Sequence, residues 1–401
     1  MEQKIQNLDV IKQEICKKID DLKKSSELEM RFMKLLLLSY NYEEKQKNLN
    51  FNVIQNLKNF EKIFKSNKID IYDKIYKESK KYISIFDKFK NYQSNSFTNN
   101  FKTLQNHTRD IYHLAKLKDG RLASCSEDHC LNIYKNNTFE LQLTIKEHTA
   151  GIASFTQIND GRIITCSWDK TMKIIKLLDE NKYKIDQELK DHTHWVYKII
   201  ENKENILISI SYDKTMKIWQ LNNENKFYCV KSINFQNSNS YCNILKLNDD
   251  EFVTSSYSDK CIKFWNSDDY SLISEINNIE TNFSLKNLCL LEDDILCVGG
   301  YNSKGFYLVK ISTHQIIKNI LGPKIIYSIN ECIDGLFLCS IIDDKDNHNL
   351  VKYKYDNLNL VKVAEKIKAH SSDIYSCVEL NNGEIASGGS GDNYSIKLWS
   401  N

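Results

Sequence analysis

Two hydrophobic rhythms divide the chain. In residues 1–96 apolar side chains fall three or four apart: Ile5, Leu8, Ile11, Ile15, Ile19 and Leu22 trace one stripe of an α-helix. Ser25 and Ser26 interrupt that stripe and offer a cap for the next. Further stripes run through Met33, Leu36, Leu37 and Tyr40, then Val53, Leu57, Phe60 and Phe64, then Tyr72, Ile75, Tyr82, Phe86 and Phe89. Neither Gly nor Pro breaks this stretch. The spacing predicts an α-helical, coiled-coil-like region over 1–96. An isolated amphipathic helix cannot bury its stripe, so the region either folds back as local hairpins or pairs with a second chain. After about Ser94 the period becomes two. Leu122–Ser126, Ile163–Ser167 and 207–211 read as strands, and Asp119-Gly120, Asp160-Gly161 and Asn382-Gly383 read as hairpin turns.

The strand region repeats itself. SEDHCLNIY, SWDKTMKII, SYDKTMKIW, YSDKCIKFW and SGDNYSIKLW surround Asp128, Asp169, Asp213, Asp259 and Asp392. His107, His148, His192 and His370 precede four of these Asp residues by 21, 21, 21 and 22 positions. The first four Asp are 41, 44 and 46 residues apart. Four antiparallel strands in a unit of this length make a propeller blade. The last repeat stops at its third strand, at Trp399. Its fourth strand is therefore expected from 97–106, with 101–104 closing the ring and leaving no open sheet at the join.

These residues resemble the WD40-repeat β-propeller family, over roughly residues 97–401. The resemblance implies an all-β seven-bladed propeller after the helical region. Six blades is the alternative, because the fifth and sixth repeats, near Asn302 and Asp343, are degenerate. It also implies hydrogen-bonded structural tetrads: His192, Ser209, Asp213 and Trp219 in one blade, and His370, Ser387, Asp392 and Trp399 in another. A buried indole N–H and a buried hydroxyl need partners, and such a chain supplies them. Other blades depart from the pattern. Tyr134 stands in place of Trp in the first, Thr165 and Ile175 occur in the second, and the fourth keeps Trp265 with Thr254 but lacks a His.

In the family, the His loops and the Asp turns share one face, the top. The residue before each Asp is then expected to point outward there, as Trp168 and Tyr212. Trp195 and Arg109 belong to the same rim. Exposed aromatics and Arg carry much of the binding energy at interfaces. The resemblance thus implies a non-enzymatic scaffold that binds a protein or peptide through Arg109, Trp168, Trp195 and Tyr212, with residues 1–96 as an arm for homo-oligomerisation or assembly. The alternative is a substrate receptor or adaptor of a ubiquitin ligase, although no RING, B-box or clear F-box pattern occurs.

Charge and composition narrow the partners. The net charge of +2 divides into +6 over residues 1–96 and −4 over the rest. Only four Arg occur, so neither nucleic acid nor a phosphopeptide is expected to be recognised. The 12 Cys include no CxxC pair, which argues against zinc and for small buried side chains in a reducing compartment. The start MEQKIQNLDV is unlike a signal peptide, and the run 35–38 is too short to span a bilayer. A cytoplasmic protein without membrane, metal or cofactor is expected. A catalytic triad occurs once per site, whereas the His, Ser and Asp here recur with the blades. No blade shows distinctive inward-facing polar groups. His113, His129, His194, His314 and His348 read as loop or surface residues, and Arg121 and Arg162 as following turns on the opposite face.

Overall fold

The computed structural model describes residues 100–400 apart from 236–240, 257–260, 278–283, 293, 302–304, 333–335, 357 and 381–382. The helices expected over 1–96, and the turn residues Asp259 and Asn302, lie outside the described residues. Those described belong to the unit 94–401.

Seven four-stranded antiparallel sheets follow one another along the chain. In blade three the strands are Val196–Lys203, Ile206–Ser211, Thr215–Leu221 and Phe227–Asn234. Blades one and two span 111–145 and 152–189; blades four, five and six span 241–276, 284–321 and 325–370. A single bridge, Tyr301 opposite Ile325, connects the fifth and sixth sheets. Blade seven takes Ser376–Glu379, Ile385–Gly388 and Ile396–Trp399 from the end of the chain and Asn100–Leu104 from before blade one. Leu104 lies opposite Ile396 and Thr103 opposite Lys397. The first strand of each blade touches the first strand of the next, and 376–379 returns to Ile111–Lys116. The ring is closed.

Seven apolar clusters hold it, each shared by two neighbouring blades. The alternation read from the sequence acquires a specific meaning here. Leu122–Ser126 is buried along its whole length. Leu122 packs with Leu104 and Leu398 of blade seven, whereas Ala123 and Cys125 pack with Phe155 and Ile163 of blade two. Period two in these middle strands therefore separates two protein neighbours rather than core from solvent.

The inner strands are also joined by polar side chains, which recur in every blade rather than marking one blade out from the rest. Six carry one directly after a slip in the strand register, His113, Ser154, Lys198, Asn243, Asn287 and Ser328, and the seventh opens with Ser376. Ser154 Oγ donates to the Tyr197 carbonyl at 2.8 Å, and Lys198 Nζ donates to Asn243 Oδ1 at 2.6 Å. Asn287 Nδ2 donates to the Ile326 carbonyl at 2.7 Å, and Ser376 Oγ accepts from Leu114 N at 3.0 Å. These bonds run from blade to blade, so the polar groups serve ring closure. Burial holds the His113 imidazole down at about 3, and burial lowers Lys198 to about 8. His113 is thus an inner-strand residue, not a loop residue. His314 is not a free surface group either, since it stacks on Phe264 at 4.2 Å and lies 3.1 Å from Glu251 Oε2.

Candidate functional site: the top-face rim

The rim is positioned by the His–Asp turns. In blade three Trp219 Nε1 donates to Ser209 Oγ at 2.9 Å, Ser209 Oγ lies 2.8 Å from His192 Nε2, and His192 Nδ1 lies 2.7 Å from Asp213 Oδ2. The indole has only a proton to give, so Ser209 accepts it and donates its own proton to His192 Nε2. His192 Nδ1–H is then left to donate to the carboxylate. Asp213 also accepts from Thr193 N at 3.0 Å and from Thr215 Oγ1 at 2.6 Å. Thr215, and Thr171 in the same role at 2.7 Å from Asp169 Oδ1, were not singled out by the sequence reading, although both stand two residues after the Asp.

Each departure from this arrangement has a local solution. The Tyr134 hydroxyl reaches Ser124 Oγ at 3.3 Å, replacing the indole. In blade two, where Ile175 has no donor, Thr165 Oγ1 still lies 2.7 Å from His148 Nε2. Trp265 Nε1 donates to Thr254 Oγ1 at 2.9 Å in blade four. In blade seven Trp399 Nε1 donates to Ser387 Oγ at 2.8 Å, and His370 Nε2 lies 2.7 Å from that oxygen. Its turn holds one more residue, and Asp392, Asn393 and Tyr394 all adopt left-handed backbone. Here His370 Nδ1 lies 2.9 Å from Asp392 Oδ2 but outside hydrogen-bond geometry, and Lys397 Nζ supplies a second partner at 2.8 Å.

Burial pushes the Asp128 carboxyl up, but the His107 bond and the backbone donors outweigh it and leave it at about 2. Asp169 and Asp213 are held below the ordinary carboxylate range for the same reasons, and Asp392 by His370 and Lys397. The hydroxyl-bearing residues Ser124, Thr165, Ser209, Thr254 and Ser387 have no exposed surface. A Ser–His–Asp chain closed off in this way cannot reach a substrate. It ties a loop to a turn.

What it ties in place is the rim. Trp168 N donates to the Gly151 carbonyl at 2.9 Å, and Tyr212 N to the Trp195 carbonyl at 2.8 Å. Glu127 N donates to the Asp110 carbonyl at 2.9 Å, and Ser390 N to the Asp373 carbonyl at 3.0 Å. Each of these four blades therefore presents two adjoining positions. Trp195 is 38% exposed and Tyr212 39%. Trp168 is not fully outward, as its position suggested, but half-buried, stacked on Trp195 at 5.1 Å. Tyr212 lies 5.9 Å from Trp195 and 4.7 Å from His194, so His194 belongs to the cluster too. Arg109, 62% exposed, pairs with Glu127 at 3.0 Å and stands apart from these rings.

Tyr112 and Tyr375 extend the row and were missed. Tyr112 lies 5.1 Å from Trp168 and stacks on Tyr375 at 5.5 Å; Tyr327 meets Tyr375 edge-on at 5.3 Å. The strand register slips between Ile111 and His113, and again between Val196 and Lys198. Such a bulge re-aims the intervening side chain, here Tyr112 and Tyr197. The recurrent Ile-Tyr or Val-Tyr at 111–112, 196–197 and 374–375 was the available signal.

The family model described as WD domain, G-beta repeat, matches residues 99–135 and 139–176. The chain carries WD40 repeats. The solved WD40 β-propeller domain of Doa1 has a similar fold, with a TM-score of 0.60 and 20% sequence identity over 75% of this chain and 95% of that one. At that identity the likeness concerns the fold alone. No curated protein matches the sequence. WD40 propellers are in general non-enzymatic scaffolds that bind proteins. Among the described residues, no helix is long and apolar enough to cross a membrane.

Proposed function

We propose that this WD40 propeller is a scaffold that captures a protein or peptide on its top face, along the aromatic row from Tyr375 and Tyr112 through Trp168 and Trp195 to Tyr212. One observation carries this reading. Trp195 and Tyr212 stay substantially exposed although their backbone is fixed by a hydrogen bond and a buried tetrad. Large rings held rigidly lose little entropy on binding, which is how aromatic residues come to dominate interface energies. Arg109 flanks the row at blade one. Residues 1–96, read from their sequence stripes, would add valency through self-association.

Affinity purification of the full chain, quantified by mass spectrometry against a Trp195→Ala/Tyr212→Ala variant, tests the proposal. Proteins captured by the native chain should be depleted with the variant. An unchanged set of captured proteins would remove the top face from consideration.

A further inference from the structure

The rim changes character around the ring. At equivalent positions blades two and three present Trp168, Trp195 and Tyr212, whereas blade one presents Asp110 and Glu127 and blade seven presents Asp373. Tyr112 and Tyr375, stacked with an interplanar angle of 28°, join the two halves. Arg109 offsets part of the charge at Glu127 from an exposed position, and His348 Nδ1 approaches Asp373 Oδ1 to 3.4 Å. The carboxylates still outnumber the fixed cations, and they do not form a group arranged to hold a metal ion.

We propose that the captured segment is a cationic peptide, with a lysine or arginine side chain against Tyr112 and Tyr375 and beside Asp110, Glu127 and Asp373, and its apolar residues on Trp168, Trp195 and Tyr212. This rests on the top-face binding reading and specifies the chemistry of its partner. Ring faces and carboxylates attract the same ligand charge, and together they reject a phosphate or an acidic peptide. The titration behaviour agrees. Burial and then repulsion from Glu127 and Asp373 raise the Asp110 carboxyl, and burial followed by Asp110 and Asp373 pushes the Tyr375 phenol up to about 12. Negative charge is crowded there, and a bound cation relieves it. The steps from Tyr375 to Tyr112, Trp168 and Trp195 are 5.5, 5.1 and 5.1 Å. Together they bound the path at roughly 16 Å, about five residues of extended chain.

The test uses the full-length chain and three randomised twelve-residue peptide pools. The pools share their apolar content, and their polar positions are filled by Arg, by Gln or by Glu. Fluorescence anisotropy should show the Arg pool binding at least about tenfold tighter than the Gln pool, with the gap shrinking as salt is raised. Glu127→Gln/Asp373→Asn should bring the Arg pool down to the Gln level with little change in melting temperature. Trp195→Ala should weaken the Arg and Gln pools alike. Equal binding of Arg and Gln pools, still weakened by Trp195→Ala, overturns the cationic proposal and leaves the binding surface standing. Undiminished Arg binding in the carboxylate variant also overturns it. No binding of any pool overturns both.

Discussion

Trp168 and Trp195 belong to different blades, yet their rings stack 5.1 Å apart with an interplanar angle of 25°. Gly151 lies against this contact, and a Cβ there would come within 3.1 Å of Trp168 Cε3 and of Glu127 Cα. The bare backbone there lets the indole lie over the loop and reach the next blade. A contact of this kind is worth about 1 kcal/mol beyond the area it buries. More importantly, it joins two blades into one continuous aromatic surface.

Gly151→Ala should therefore displace the Trp168 ring. Near-ultraviolet circular dichroism reads the pairing of the two indoles, and that signal should fall while the far-ultraviolet spectrum stays constant. An unaltered near-ultraviolet spectrum would mean that the stack does not need the glycine.

Two tryptophans in blade three should respond differently to removal. Trp219 is fully buried and bonded to Ser209, so Trp219→Ala should cost about 3–5 kcal/mol and lower the melting temperature markedly. Trp195→Ala removes a ring that is more than one-third exposed and should cost on the order of 1 kcal/mol or less. Similar losses for the two variants would contradict the division between tetrad and rim.

Much of this division was legible in the sequence, and the reason is local. A His and an Asp 21 residues apart bracket one hairpin, so their pairing repeats in each of the first three blades. What was hidden depends on contacts between units. Tyr112 reaches Tyr375 at the far end of the chain, and Ser154 bonds to the carbonyl of Tyr197, 43 positions away. No short-range period encodes such pairs. The position of Trp168 before the turn Asp predicts an outward ring, but the ring stacks on Trp195 of a neighbouring blade, which the local pattern does not describe. An isolated His113 reads as a loop or surface residue because its burial comes from ring closure.

Acid should unfold the propeller in two stages. Burial favours the neutral forms of His113 and His370, so their contribution is complete above the ordinary value of 6.5 and declines as the pH falls below that. The tetrad carboxylates are depressed. Their contribution is complete above the ordinary 3.8 and is lost as pH falls through the folded values, about 2 for Asp128. Melting temperature should thus decline from pH 6.5 to 4 and more steeply below. Asp213→Asn should lower stability at pH 7 by about 1–3 kcal/mol and make the acid limb shallower. An acid limb of unchanged slope would show that this tetrad does not supply it.

Ring closure can be separated from whatever residues 1–94 contribute. Deleting 1–94 retains Asn100–Leu104, whereas deleting 1–106 leaves Ile396–Trp399 paired only with Ile385–Gly388 and removes buried Leu104. The shorter deletion should keep the melting temperature of the propeller. The longer one should lower it by on the order of 10 °C or prevent folding. Equal melting of the two chains would contradict closure by that strand.

Partner capture by the aromatic row is the central claim, and titration with a selected ligand tests it most directly. A peptide selected from a display library on the native full-length chain would be titrated calorimetrically against that chain, against Trp195→Ala/Tyr212→Ala, and against Arg121→Ala, in the Asp119-Gly120 turn at the other end of its hairpin from the Asp128 turn. The account expects the double variant to lose at least about tenfold in affinity, with Arg121→Ala unchanged. Equal affinity for all three chains would contradict it.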